Sequence, residues 1–124
     1  MKTLLPERIA NFLNAGDAVV AEIAREDSHT DMFVTITPVA KPGVPREERR
    51  YLNSTWSAWE YWDFRFRRFV LRADWQEHEW DYDHYLLEDE RVTTHDPGSF
   101  EDMLGRWVPD RSTLQHARDS RCPE

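Results

Sequence analysis

His78 and His84, with Glu77, Glu79, Asp81 and Asp83, place six proton-carrying side chains within eight residues. Imidazole and carboxylate together can ligate a divalent cation or move protons near neutral pH. Along residues 78–87 the side chains alternate, with His78, Trp80, Tyr82 and His84 on one side and Glu79, Asp81, Asp83 and Tyr85 on the other, which reads as a strand. In extended chain the two histidines then stand roughly 20 Å apart, too far to hold one ion. The simpler expectation is that the histidines pack beside aromatic rings and the carboxylates face water, so neither metal nor cofactor is called for. The chain also has no GxGxxG, P-loop, HExxH, GxSxG or paired CxxC, which removes sequence support for nucleotide, zinc-protease and α/β-hydrolase chemistry.

A second pattern, Phe64-Arg65-Phe66-Arg67-Arg68-Phe69, interleaves rings with guanidinium groups, the means by which some sheets stack bases and hold phosphates. It lacks the glycine of the RNA-recognition consensus. It also precedes eleven carboxylates between Ala73 and Asp102, which face only Arg91 and would oppose a polyanion. The competing expectation puts Phe64 and Phe66 in the core and pairs Arg65 and Arg67 across strands with the stretch from Glu79 to Asp83. Nucleic acid is therefore an unfavoured partner.

The acidic stretch itself is the third feature. Glu77, Glu79, Asp81 and Asp83 lead into Glu88-Asp89-Glu90, and the whole chain carries a net charge of −8. Such a run serves solubility, or it forms a surface complementary to a basic protein, with charge speeding encounter and aromatic side chains anchoring contact. The leading expectation is a non-enzymatic protein-binding domain that uses Glu77, Glu79, Asp81, Asp83, Glu88, Asp89 and Glu90, with Trp75, Trp80 and Tyr82 as anchors. In size and charge alone the chain is similar to small acidic nuclease inhibitors, immunity proteins and antitoxins. A different expectation is a small ligand-binding or enzymatic domain, its pocket lined by aromatics and its polar contacts supplied by His78, Tyr82 and His84. Single-strand nucleic-acid binding through Arg65, Arg67 and Arg68 is the third.

These residues need a scaffold. Leu5, Ile9, Phe12 and Leu13 share one helical face after Pro6 and Glu7, with Asn14-Ala15-Gly16 as a stop. The run from Ala18 to Arg25 and the segment from Met32 to Thr37 suit a β-hairpin through the polar turn from Glu26 to Asp31. Pro38, Pro42, Gly43 and Pro45, followed by Arg46-Glu47-Glu48-Arg49-Arg50, read as an exposed loop. Residues 54–72 fit two periods: Trp59, Trp62, Phe66 and Phe69 at helical spacing, or Trp62, Phe64 and Phe66 alternating as a strand, with a bulge where parity shifts between Phe66 and Phe69. Aromatic density and Val70-Leu71 favour the strand. Asp96-Pro97-Gly98-Ser99 offers helix-capping chemistry before the stripe Phe100, Leu104 and Trp107, which Pro109 ends. The tail 110–124 reads as polar and loosely packed.

The sum is a single α+β domain spanning residues 1–124: an antiparallel sheet of about four strands with an N-terminal and a C-terminal helix packed on it. The lone cysteine, Cys122, suits a reducing compartment, and Pro6-Glu7-Arg8 interrupts the opening apolar residues before a signal-peptide core develops. No run approaches the ~20 apolar residues of a membrane helix. Fourteen arginines beside Lys2 and Lys41 suggest a GC-rich bacterial genome. A cytoplasmic bacterial protein is the resulting expectation.

Overall fold

The computed structural model describes residues 5–25, 29–43, 62–120 and 122–123. The described residues fold as an α+β protein with a five-stranded antiparallel sheet and two α-helices. Helix α1 (Glu7–Asn14) leads into β1 (Val19–Ile23), β2 (Thr30–Ala40) and β3 (Trp62–Arg72); a 3₁₀ segment (Ala73–Tyr85), β4 (Leu86–Thr94), α2 (Pro97–Trp107) and β5 (Gln115–His116) follow. The strand order is β4-β3-β2-β1-β5, so β4 is one edge. No helix among the described residues is long and apolar enough to cross a membrane.

The end of α1 and the start of α2 follow from local chemistry. Beyond the last turn of α1, Gly16 adopts a φ of 88°, and the amides of Gly16 and Asp17 donate to the carbonyls of Leu13 and Phe12 at 3.0 and 2.9 Å. That left-handed residue satisfies carbonyls the helix leaves open, and only glycine holds it without strain. Gly16→Ala is expected to lower stability by about 1 kcal/mol, read by urea unfolding. At the start of α2, the Asp96 carboxylate accepts from the Ser99 amide at 2.8 Å and from its hydroxyl at 3.0 Å. Proline occupies the first helical position, where a missing N–H costs nothing.

The hairpin of β1 and β2 forms as the sequence indicates, with Val19 opposite Ile36 and Ile23 opposite Met32. β2 runs past its expected end at Thr37 and takes Pro38 into the strand. Pairing with β1 stops at Ile36, so the absent N–H of Pro38 interrupts no ladder bond to β1. Residues 44–50 of the expected loop, residues 26–28 of the expected turn and the segment 54–61 lie outside the described residues; from Trp62 onward the ambiguous stretch is a strand.

The sheet is covered on both faces, and this explains the parity shift in β3. Trp62, Phe64 and Phe66 join Val19, Ala21, Val34 and Ile36 beneath the two helices. There Phe100 meets Phe64 and Phe66 edge-on, at centroid distances of 5.2 and 5.3 Å. On the opposite face Phe69 and Leu71 join Val20, Phe33 and Trp75. The register from β2 to β3 is unbroken across Phe66 to Phe69, so no bulge lies there. The one irregularity, in the ladder to β4, falls at Val70/Leu71, where Leu87 is the extra residue between the partners Leu86 and Glu88.

Residues 73–85 cover that second face. The alternation from His78 to Leu87 therefore does not mark a strand: the chain makes successive 3₁₀ turns as far as Tyr85, and β4 begins at Leu86. Because Leu71 pairs with Leu86, the segment is the connection of a β-hairpin, folded back so that Trp75 reaches Phe33 (5.9 Å, edge-on) and donates its indole N–H to Asp31 at 2.9 Å. The tail differs from expectation as well. Leu114 is buried in the helix-side core, and β5 pairs with β1 through Val19–His116 and Val20–Gln115, adding the fifth strand.

Candidate functional site

β4 carries Glu88, Asp89 and Glu90 of the acidic run. It lies at the sheet edge, and every residue from Leu87 to Thr93 is exposed. A strand alternates its side chains, so the acidic run divides between two faces. Glu88 and Glu90 stand on the helix side, opposite Val70 and Arg68; Asp89 stands on the other, opposite Phe69.

The two faces treat their carboxylates differently. Asp89 receives Nε and Nη2 of Arg67 at 2.8 and 3.2 Å, and Arg91 approaches at 3.4 Å. The Arg67 side chain is 6% exposed and lies over the Phe69 ring, 4.4 Å from its centroid. The guanidinium beside Asp89 holds its carboxyl below the usual aspartate range. On the helix side Arg68 pairs with Glu90, sits 3.9 Å from Glu88 and rests against the Trp107 ring at 5.8 Å. Glu88 and Glu90 nevertheless remain 55% and 53% exposed. Arg67 and Arg68 of β3 thus pair across the ladder with Asp89 and Glu90 of β4, and Arg65 is an exposed residue opposite Thr93.

Asp96 and Asp110 are also held below the ordinary aspartate range, chiefly by hydrogen bonds from Ser99 and Ser112 respectively. With Asp89 they make the folded state bind fewer protons than the unfolded chain around pH 4. Their stabilisation is complete above that range and is lost as pH falls through it toward the folded values. Acid titration of the unfolding midpoint is expected to show a decline beginning near about pH 4, reduced in Asp89→Asn.

Trp75, Glu77, Tyr82, Asp83 and His84 lie on the 3₁₀ segment that precedes this strand. Trp75 is fully buried, so it cannot serve as a surface anchor. Tyr82 is half-buried against Phe69 and its neighbours, while Glu77, Asp83 and His84 are exposed. The side chains of His78, Glu79, Trp80 and Asp81 lie outside the described part of the structure. Sequence reading missed Leu87 and Val92. They are 56% and 38% exposed and are the exposed large apolar side chains among the described residues. They bracket residues 88–91 on the same edge. The signal was present as apolar residues flanking a charged run, but it required knowing that the run is an edge strand.

Histidine–carboxylate contacts occur elsewhere at His116 and His95. His116 Nδ1 accepts from the Arg118 amide at 3.0 Å, and its Nε2 lies 3.4 Å from Asp17. These contacts brace the loop, with the ring wedged edge-on against Phe12 at 4.8 Å. His95 Nδ1 lies 3.1 Å from Asp63, which Lys41 approaches at 3.4 Å. Among the described residues no group of three metal-ligating side chains forms. A groove of about 250 Å³ runs between β4 and α2, lined by Val92, Thr94, Ser99, Asp102, Met103 and Arg106. Neither this groove nor the one of about 240 Å³ around His116 includes Tyr82 or His84.

No protein-family model matches the chain, and no curated protein or solved structure matches it significantly.

Proposed function

We propose that this protein is an acidic protein-binding domain that docks a basic partner through β4, as a small immunity or antitoxin-like inhibitor would. The observation that carries the reading is the placement of Leu87 and Val92 on either side of the exposed Glu88 and Glu90, on one sheet edge. Interfaces combine a few apolar anchors that exclude water with charges that steer and orient. This edge offers both. Of the residues named from sequence, Glu88 and Glu90 remain in the proposed surface, Asp89 instead holds Arg67 on the other face, and Leu87 and Val92 take over the anchoring role assigned to Trp75.

The test is affinity capture from source lysate at low salt with the wild type, Leu87→Asp and Glu88→Lys. Asp89 is left intact because it holds Arg67. A basic protein retained by the wild type and lost with either substitution is the expected result. Capture indifferent to both substitutions would defeat the proposal.

A further inference from the structure

Resting on that reading, we infer the mode of recognition: β4 accepts an extended basic segment of the partner as a sixth strand, antiparallel to itself. The outer edge of β4 has no strand beside it among the described residues. A free edge presents alternate N–H and C=O groups that another extended chain can satisfy, which is how strand-adding domains bind peptides. Beside this edge runs the groove against α2, which gives one row of the incoming side chains a surface to lie on.

The order of residues on the helix side of β4 specifies that row. Read backward along the strand, Val92 is followed by Glu90 and Glu88, each two positions on, and all three are exposed. An antiparallel partner would set an apolar residue against Val92 and Met103, then basic residues opposite Glu90 and Glu88. Its intervening residues would fall on the other face, where Asp89 is already satisfied by Arg67 and Arg91. The spacing of charge is therefore more informative than its amount. Two basic groups at alternate positions reach both glutamates, whereas adjacent ones point to opposite faces. The Leu87 bulge and the charges along β4 are devices that discourage indiscriminate edge pairing, and they restrict the edge to a complementary strand.

The experiment compares two labelled peptides of identical composition by fluorescence anisotropy at about 50 mM salt, where exposed charges are weakly screened. One has a valine followed by arginines at the second and fourth positions after it, with threonines between; the other has its arginines adjacent. The alternating peptide is expected to bind at least about tenfold more tightly, with Glu88→Lys and Val92→Lys each weakening it about tenfold. Hydrogen exchange of β4 amides should slow only with that peptide. Equal binding of both peptides with no slowed amide would overturn strand addition while leaving an acidic docking surface in place. Binding of neither peptide would overturn strand addition, and the lysate capture then decides separately whether the acidic surface docks anything.

Discussion

Trp75→Ala is expected to destabilise the fold by about 3–5 kcal/mol, the range for removing a large aromatic from a packed core. The side chain has no exposed surface, meets Phe33 edge-on and gives its indole N–H to Asp31. It joins the 3₁₀ segment to the sheet, so truncation opens a cavity and leaves the Asp31 carboxylate without that donor. Urea unfolding should show a lower midpoint, and exchange of backbone amides in residues 73–85 should accelerate ahead of the helix-side core. Trp75→Phe should retain much of the packing and lose the hydrogen bond, at a smaller cost of about 1–2 kcal/mol. Peptide affinity, measured where the variant remains folded, should be unchanged because β4 is untouched. Weakened binding by folded Trp75→Phe would argue against the assignment of the surface to β4.

Asp89→Ala should cost about 3 kcal/mol, although Asp89 itself is partly exposed. The loss comes from its partner. Arg67 is almost wholly buried, and losing the carboxylate removes the two charge-assisted hydrogen bonds that compensate its charge. Removing one member of such a pair costs far more than the pair contributes. Arg67→Met combined with Asp89→Asn should therefore be more stable than Asp89→Ala alone, and a double-mutant cycle by thermal unfolding would measure the coupling. By contrast Glu88→Lys, on an exposed side chain 3.9 Å from Arg68, should change stability by less than about 1 kcal/mol. This contrast separates the carboxylate that holds the sheet from the carboxylates available to a partner, although the three are consecutive in sequence.

The local chemistry of the chain determined most of the elements. Ile9, Phe12 and Leu13 share a helical face, Asp96 caps α2 through Ser99, and the β-branched runs of β1 and β2 form a hairpin. In each case the cause lies within a few residues, and an amphipathic element covered by one surface shows its period directly. The tertiary structure decided the rest. The parity shift in β3 arises because the helices cover one sheet face and residues 73–85 cover the other, so Phe66 and Phe69 both point into apolar surroundings without a bulge. The same segment alternates like a strand, yet it must return the chain from Leu71 to Leu86 while delivering Trp75 to Phe33; that long-range packing overrides its local period. Leu114 and β5 are ordered by contacts with β1, almost a hundred residues earlier in the chain. The acidic run was legible as composition. That Asp89 is held by Arg67 while Glu88 and Glu90 stay exposed beside Leu87 and Val92 depends on strand register and edge position, which arise only when distant segments pair.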